Sequence, residues 1–117
     1  MIQHVALETR QADLGAEAAF WALLGFEPVE APGTLAERST WLQGAAGTQV
    51  HLLHTVEPMA SPEGHVAVVA SDYGATVTRL RGAGFDPQPR EEHWGAARCF
   101  VRSPGGHRVE VMASPPP

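Results

Sequence analysis

Four residues with metal-ligand chemistry stand inside short apolar, alternating stretches of this 117-residue chain. The stretches QHVALE (3–8) and GHVAVV (64–69) share the tripeptide His-Val-Ala, which gives His4 and His65 equivalent settings. His51 and Glu110 stand in similar stretches further along each half. Imidazole nitrogens and carboxylate oxygens bind divalent transition metals such as Zn, Ni, Co, Mn and Fe. These four residues are therefore candidate ligands, provided that the fold brings them to one face.

The sequence also contains an internal repeat. The segment DLGAEAAFWALLGFEPV (13–29) aligns with DYGATVTRLRGAGFDPQ (72–88) at an offset of 59 residues. At the same offset GTQVHLL aligns with GHRVEVM, so that His51 falls on Glu110. Self-similarity of this kind indicates two copies of one supersecondary unit.

Each copy has the pattern strand, helix, strand, strand, strand. The helices are predicted to begin at the N-caps Asp13 and Asp72 and to end at Gly25 and Gly84. In the first helix, Ala16, Phe20, Leu23 and Leu24 are spaced as one apolar stripe. Period-2 alternation and turn residues predict strands at residues 2–8, 26–31, 38–43, 48–54, 64–70, 85–91, 97–103 and 107–112.

The predicted fold class is α+β, with two repeated βαβββ modules that form curved mixed sheets around a shared groove and carry their helices on the outer face. Each module has one helix and about 55 residues, so we expect the two to pack together rather than to be stable apart. The prediction is a single domain over residues 1–113, with modules 1–54 and 64–113 and a linker at 55–63. Residues 114–117, SPPP, are expected to be a disordered tail.

Strand alternation places all four candidate ligands on equivalent faces. Successive side chains of a strand point to opposite sides. Val and Leu residues of the first and fourth strands of each module occupy the side expected to face the helix, and the other side carries His4, His51, His65 and Glu110. The alternative is that these are isolated polar residues on a solvated sheet face. Their symmetric placement favours a divalent transition metal held by all four.

Composition excludes several classes of function. The formal net charge is −5, and the eight basic residues are arginines scattered along the chain, which argues against nucleic-acid binding. No apolar run approaches the ~20 residues that a bilayer span needs, so no membrane association is expected. The single cysteine, Cys99, cannot form an internal disulfide, and the N-terminus shows no signal-like segment. We therefore expect a cytoplasmic protein.

The pattern resembles the vicinal oxygen chelate superfamily, which includes glyoxalases, bleomycin-resistance proteins and extradiol dioxygenases. The resemblance covers residues 1–113, and FVRSPGGHRVEVM (100–112) looks like the last hairpin of the family, with Glu110 as metal ligand. His4 and His65 match the first-strand ligands of the two modules. His51 stands where glyoxalases carry a glutamate and methylmalonyl-CoA epimerase a glutamine, a departure that leaves the reaction open.

The resemblance implies a small-molecule substrate bound to the metal through two neighbouring oxygens, in a lyase- or isomerase-like reaction. Glu110 or His51 would then move the proton. Arg108, which shares the parity of Glu110, and Trp94, in the loop EHWG, are candidate substrate-binding residues. The alternatives are a metal-free binding protein that confers antibiotic resistance, and a non-haem iron dioxygenase.

Finally, the ligand-bearing faces carry the apolar residues Leu53, Val69 and Met112, which cannot all remain in water without cost. The linker is short and holds Pro58 and Pro62, which favours halves lying side by side with open faces. We therefore predict a homodimer, and the resemblance implies metal sites shared between the two chains.

Overall fold

The structure, a computed structural model, describes residues 1–117 and divides them into two compact units, Met1–Ala60 and Ser61–Pro117. Each unit is built from one four-stranded mixed sheet and one α-helix, in the same order along the chain. The prediction of two repeated βαβββ modules in an α+β fold is therefore confirmed. Neither helix has the length and apolar character that crossing a membrane requires.

In the first unit, helix α1 (Leu14–Leu23) connects the first strand to the other three. The strands are β1 (His4–Thr9), β2 (Glu27–Val29), β3 (Ser39–Gln43) and β4 (Gln49–His54). Their order in the sheet is β1-β4-β3-β2, with β1 parallel to β4 and the other pairs antiparallel. Short 3₁₀ helices cover Gln11–Asp13 and Gly33–Glu37, and neither was predicted.

The second unit repeats this topology around helix α2 (Tyr73–Gly82). Its strands are β5 (Val66–Val69), β6 (Gln88–Pro89), β7 (Arg98–Arg102) and β8 (Arg108–Met112), in the order β5-β8-β7-β6. Strand β6 is much shorter than the predicted 85–91. Pro87 and Pro89 have no amide hydrogen for a ladder, so this edge pairs over two residues only.

The buried side of helix α1 differs from the prediction. The fully buried residues of the helix are Glu17, Phe20 and Trp21, each 0% exposed. Of the predicted apolar stripe, only Phe20 is fully buried, and Ala16 is exposed. The indole Nε1 of Trp21 donates to the Glu17 carboxylate at 2.9 Å. This bond supplies a partner that lets a charged residue occupy the core, which a hydrophobic spacing rule does not anticipate.

The two predicted N-caps also differ from each other. Asp72 has an extended backbone, and its side chain accepts the amide hydrogen of Ala75 at 3.0 Å, which is the expected cap. Asp13 has helical backbone angles because the preceding 3₁₀ turn runs directly into α1, and its side chain caps nothing. Helices α1 and α2 end at Leu23 and Gly82, two residues before the predicted glycines. Gly25 and Gly84 have the predicted left-handed conformation that stops a helix, with φ angles of 89° and 91°.

The sheet faces follow the predicted alternation. Residues of β4 and β8 on the parity assigned to the helix side are almost fully buried, namely Val50, Leu52, Val109 and Val111. Of the three apolar residues on the other parity, Leu53 is 38% and Val69 is 54% exposed, as predicted. Met112 is only 6% exposed, contrary to expectation; in the sheet it lies between Val69 and Arg98.

Candidate functional site

The structure brings the four predicted ligands together in two pairs, one in each unit. In the first unit β1 and β4 are parallel neighbours, and Ala6 lies opposite His51. His4 is therefore one diagonal step from His51 on the same face. Their imidazole rings stack with centroids 4.1 Å apart and planes inclined by 15°.

Trp41 covers the other face of the His51 ring. It lies directly opposite His51 in the β3–β4 ladder, and the two rings stack at 4.0 Å with planes only 2° apart. The His51 imidazole is thus held between His4 and Trp41. Burial, and secondarily the neighbouring His4, lower the pKa of His51, so that its ring is neutral at neutral pH. A neutral ring is the form that binds a metal or accepts a proton.

Hydrogen bonds fix which nitrogen of each ring in this unit carries hydrogen. Nε2 of His51 donates to the side-chain oxygen of Gln49 at 2.8 Å, and the amide of Gln49 is oriented by its own bond to Gln43 at 2.9 Å. Nδ1 of His4 donates to the side-chain oxygen of Gln3 at 2.7 Å. The remaining nitrogens, Nδ1 of His51 and Nε2 of His4, make no hydrogen bond to the chain and present lone pairs.

In the second unit, His65 and Glu110 form the corresponding pair. Nε2 of His65 lies 3.2 Å from Oε1 of Glu110, whose side chain is only 8% exposed. Nδ1 of His65 contacts the carbonyl oxygen of Glu63 at 3.1 Å, and since a carbonyl only accepts, this nitrogen is the donor. In the neutral imidazole, Nε2 is then a lone pair that faces a carboxylate oxygen. The two atoms form an ion pair when the imidazole carries a second proton, and both are donor atoms that a divalent metal accepts.

The donor set therefore fits a divalent metal. In each of the three histidines one ring nitrogen is hydrogen-bonded to a neighbouring oxygen, which leaves the other nitrogen for a different partner. Metal-bound histidines are oriented by hydrogen bonds of this kind. The pairs lie in separate units, and no group of three or more His, Cys, Asp or Glu side chains forms a metal-binding cluster in this structure. Within each unit the ligands are thus paired but not complete.

Arg98 is a site residue that the sequence reasoning missed. Its Nε donates to Oε2 of Glu110 at 2.8 Å and its NH1 group to the Glu91 carbonyl at 2.8 Å. Only Oε1 of Glu110 is consequently directed at His65. Strand alternation places Arg98 on the same face of β7 as Phe100, and β7 forms a hairpin with β8. Alternation alone does not show that Arg98 binds Glu110.

The two predicted substrate-binding residues lie in the second unit. The guanidinium carbon of Arg108 lies 3.7 Å from the centroid of the Phe100 ring, and its NH1 group donates to the Glu63 carbonyl at 2.8 Å. Trp94, in a turn, donates its indole hydrogen to the Ser114 carbonyl at 2.9 Å and lies beside the Arg98 guanidinium, 5.7 Å away. No hydrogen bond or ion pair joins either residue to a predicted metal ligand.

A cavity of about 760 Å³ opens beside the histidine pair of the first unit. The stacked rings of His4, His51 and Trp41 line it, and its remaining lining residues are Gln3, Leu35, Arg38, Ser39, Gln49, Leu53 and His54. A volume in this range accommodates a small organic molecule. Trp41 and the two imidazoles present an aromatic surface with polar nitrogens at its edge.

Comparison with known proteins gives a family match over nearly the whole chain. The family model described as Glyoxalase/Bleomycin resistance protein/Dioxygenase superfamily matches residues 1–111. A search of curated proteins found no significant match.

Solved structures share the fold at low sequence identity. A structure described as a glyoxalase family protein from Bacillus anthracis has a TM-score of 0.85 at 20% identity, over 96% of this chain and 93% of that one. Lactoylglutathione lyase from Agrobacterium tumefaciens has a TM-score of 0.71 at 21% identity, over 96% and 92%. A variant of the fosfomycin resistance protein FosX from Listeria monocytogenes, complexed with Mn(II) and 1S,2S-dihydroxypropylphosphonic acid, has a TM-score of 0.75 at 15% identity, over 98% and 93%.

Proposed function

The chain belongs to the Glyoxalase/Bleomycin resistance protein/Dioxygenase superfamily, and we propose that it is a metal-dependent enzyme of the vicinal oxygen chelate type. In this proposal His4, His51, His65 and Glu110 hold one divalent transition metal, and the substrate is a small molecule with two neighbouring oxygens. The observation that carries it is the His65–Glu110 pair, in which an imidazole nitrogen and a carboxylate oxygen face each other at 3.2 Å. A metal ion would satisfy both.

The metal, when bound, would supply Lewis acidity that stabilises negative charge on the substrate oxygens. The residues of the chain have separate tasks. Gln49 and Gln3 orient the imidazoles of His51 and His4, and Arg98 restrains one oxygen of Glu110. The lowered pKa of His51 keeps its ring neutral, so that its one lone pair, on Nδ1, would hold either the metal or a proton, and Glu110 is the other proton acceptor of the proposal.

Arg108 and Trp94 complete the proposal as substrate-binding residues. Arg108 is a fixed cation held against Phe100, which suits it to a negatively charged part of a substrate. Trp94 offers an aromatic face next to Arg98. The reaction class within this proposal is lyase- or isomerase-like, because His51 or Glu110 would move a proton on the substrate while a bound metal would stabilise negative charge on its oxygens.

We further propose a homodimer whose metal sites each take His4 and His51 from one chain and His65 and Glu110 from the other. The exposure of Leu53 and Val69 supports an association through the ligand-bearing faces. Each pair by itself supplies only two ligands, fewer than a stable transition-metal site has.

Metal content tests the enzyme proposal directly. We expect about one metal ion per chain, measured by elemental analysis of protein purified without chelators. Glu110→Gln should lose most of it, because the carboxylate is removed while the side-chain volume is kept. Glu27→Gln, an exposed glutamate on edge strand β2, is the matched control and should keep full content. Unchanged metal in Glu110→Gln, with both variants folded by circular dichroism, contradicts the proposal.

A second candidate is a metal-free small-molecule binding protein of the antibiotic-resistance kind. The aromatic cavity of about 760 Å³ in the first unit favours it, because Trp41 and the histidines offer a stacking surface that is complete within that unit. Bleomycin is a suitable probe. Equal, tight binding of bleomycin by wild type and Glu110→Gln in the presence of a chelator supports this candidate, and absence of binding excludes it for that ligand class.

A further inference from the structure

Arginines gather on one face of the second unit. Six of the eight arginines lie in residues 61–117, although the chain as a whole has a net charge of −5. Arg98, Phe100 and Arg102 lie on the same face of β7, because they are two residues apart. Arg108 lies opposite Arg102 in the β7–β8 ladder. Arg90 follows β6, the strand that pairs with β7 on its other side. One aromatic residue, Phe100, is at the centre of the group.

The guanidinium groups of three of these residues approach the Phe100 ring. The distances from the guanidinium carbons to the ring centroid are 3.7 Å for Arg108, 5.4 Å for Arg98 and 5.8 Å for Arg90. The negative face of the ring stabilises nearby cations, which makes such a concentration of like charge possible. It does not neutralise the charge.

Apart from Arg98, which pairs with Glu110, these arginines have little carboxylate nearby to neutralise their positive charge. Arg102 donates to three backbone carbonyls, those of Ser61, Pro62 and Gly106. Arg108 donates to the Glu63 carbonyl at 2.8 Å, and its nearest carboxylate oxygen, also of Glu63, is 3.9 Å away on a side chain that is 93% exposed. Arg90 has no hydrogen bond or ion pair from its guanidinium. Carbonyl oxygens orient a guanidinium but carry no net charge.

These residues border a cavity of about 400 Å³, here called the arginine cavity. Arg90, Arg102, Arg108 and Phe100 line it, together with Gly84, Phe85, Asp86, Gln88 and Val101. Asp86 is the single carboxylate among the lining residues, so that three guanidinium charges are opposed by one negative charge. A concave site with an excess of positive charge concentrates small anions.

We infer that the arginine cavity binds an oxyanion group of a small-molecule ligand, either a carboxylate or a phosphate or phosphonate. Guanidinium groups donate two parallel hydrogen bonds to such groups, and those of Arg102 and Arg108 are already oriented by the carbonyls that they contact. A bound oxyanion would supply the negative charge that the residues lining the cavity lack. This recognition needs the second unit alone.

The position of the cavity relates this group to the candidate metal ligands. Phe100, which lines the cavity, packs edge-to-face against His65 with centroids 4.9 Å apart and lies opposite Glu110 in the β7–β8 ladder. Given the proposed function, the oxyanion belongs to the same substrate that His65 and Glu110 would help to hold. The substrate class is then a small anionic molecule whose charged group is separate from its metal-binding oxygens.

Binding of simple oxyanions to metal-free protein tests this inference. Inorganic phosphate and acetate are titrated separately into the 117-residue chain in the presence of a chelator, at constant ionic strength set with chloride, because added salt alone screens surface charge. The readout is the NMR signal of each arginine Nε–Hε group. We expect saturable shifts confined to Arg90, Arg102 and Arg108, and the tighter of the two ligands identifies a phosphate-like or a carboxylate group.

Two variants that remove the same charge provide the comparison. Arg90→Gln should weaken binding by about three- to tenfold, as expected for the loss of one charged donor from a partly open site. Arg10→Gln removes an exposed arginine of the first unit and should leave the affinity unchanged. Even shifts at all eight arginines, equal effects of both variants, or no saturation by either anion overturns the inference. Because metal is absent throughout, these outcomes are independent of whether the metal-site proposal holds.

Discussion

The Nε group of Arg98 donates a hydrogen bond of 2.8 Å to Oε2 of Glu110, and both side chains are largely withdrawn from water, at 13% and 8% exposure. The bond crosses from β7 to β8 on the face that also carries Phe100 and His65. Its consequence is an asymmetric carboxylate, with one oxygen bound to arginine and the other directed at an imidazole. The arginine therefore defines which oxygen of Glu110 is available to a metal or a proton.

A double-mutant cycle should measure this coupling. Arg98→Gln should lower the free energy of unfolding by about 2 kcal/mol, because it leaves a buried carboxylate without its cationic partner. In the background of Glu110→Gln the same substitution should cost clearly less, which gives a coupling energy of about 1–2 kcal/mol from urea unfolding. The cycle cancels the contact of Arg98 with the Glu91 carbonyl. A coupling energy near zero would show that the pair does not stabilise the fold.

The two aspartates that precede the helices are a matched pair for a test of capping. Asp72→Ala should destabilise the protein by about 1 kcal/mol, because it removes the acceptor of the Ala75 amide hydrogen. Asp13→Ala should cost only a few tenths of a kcal/mol, since Asp13 caps nothing and its contact with Arg10 is an exposed ion pair at 4.0 Å. The unfolding free energies are measured by urea denaturation, and equal losses in Asp72→Ala and Asp13→Ala would contradict the capping geometry.

Cys99 should make stability depend on pH in the alkaline range. Burial raises the pKa of the Cys99 thiol, which is 1% exposed. The unfolded chain, with a thiol pKa of ~8.5, then loses its thiol proton at a lower pH than the folded chain does. The stability contributed by the neutral thiol is thus complete below about pH 8.5 and declines above it, by at most about 1.4 kcal/mol per pH unit.

The Cys99→Ala variant isolates this effect. The difference in unfolding free energy between wild type and Cys99→Ala should shift against wild type between about pH 7.5 and 9, a range in which Tyr73, whose pKa burial also raises, is at least nine-tenths protonated in both states. Native Cys99 should also react slowly with an alkylating reagent at about pH 8. A pH-independent difference together with rapid alkylation would mean that the thiol is exposed in solution.

Mixed dimers should distinguish shared metal sites from sites within one chain. If the sites are shared, equal mixing of His4→Ala and Glu110→Ala chains gives heterodimers with one intact site, and the mixture should regain about a quarter of wild-type metal content. Mixing His4→Ala with His51→Ala is the control, because both changes affect the same half and no intact site forms. Metal content that stays at background in the first mixture, or a monomer at micromolar concentration with full metal content, refutes sharing.

The amino-acid pattern predicts the repeated βαβββ modules, the glycines that stop the two helices and the face on which each candidate ligand lies. These features depend on short-range rules: the two-residue alternation of strands, the helical period and the conformational freedom of glycine. An offset of 59 residues was sufficient to place His51 and Glu110 at equivalent positions before any contact was known.

The partners of those residues depend on the folded arrangement of the strands. The stack of His51 between His4 and Trp41, and the bond from Arg98 to Glu110, follow from strand register, which joins residues far apart in the chain. Likewise, burial of Glu17 depends on the indole hydrogen of Trp21, and the failure of Asp13 as a cap depends on the 3₁₀ turn before α1. Local periodicity specifies the direction of a side chain, whereas packing and register specify what it meets.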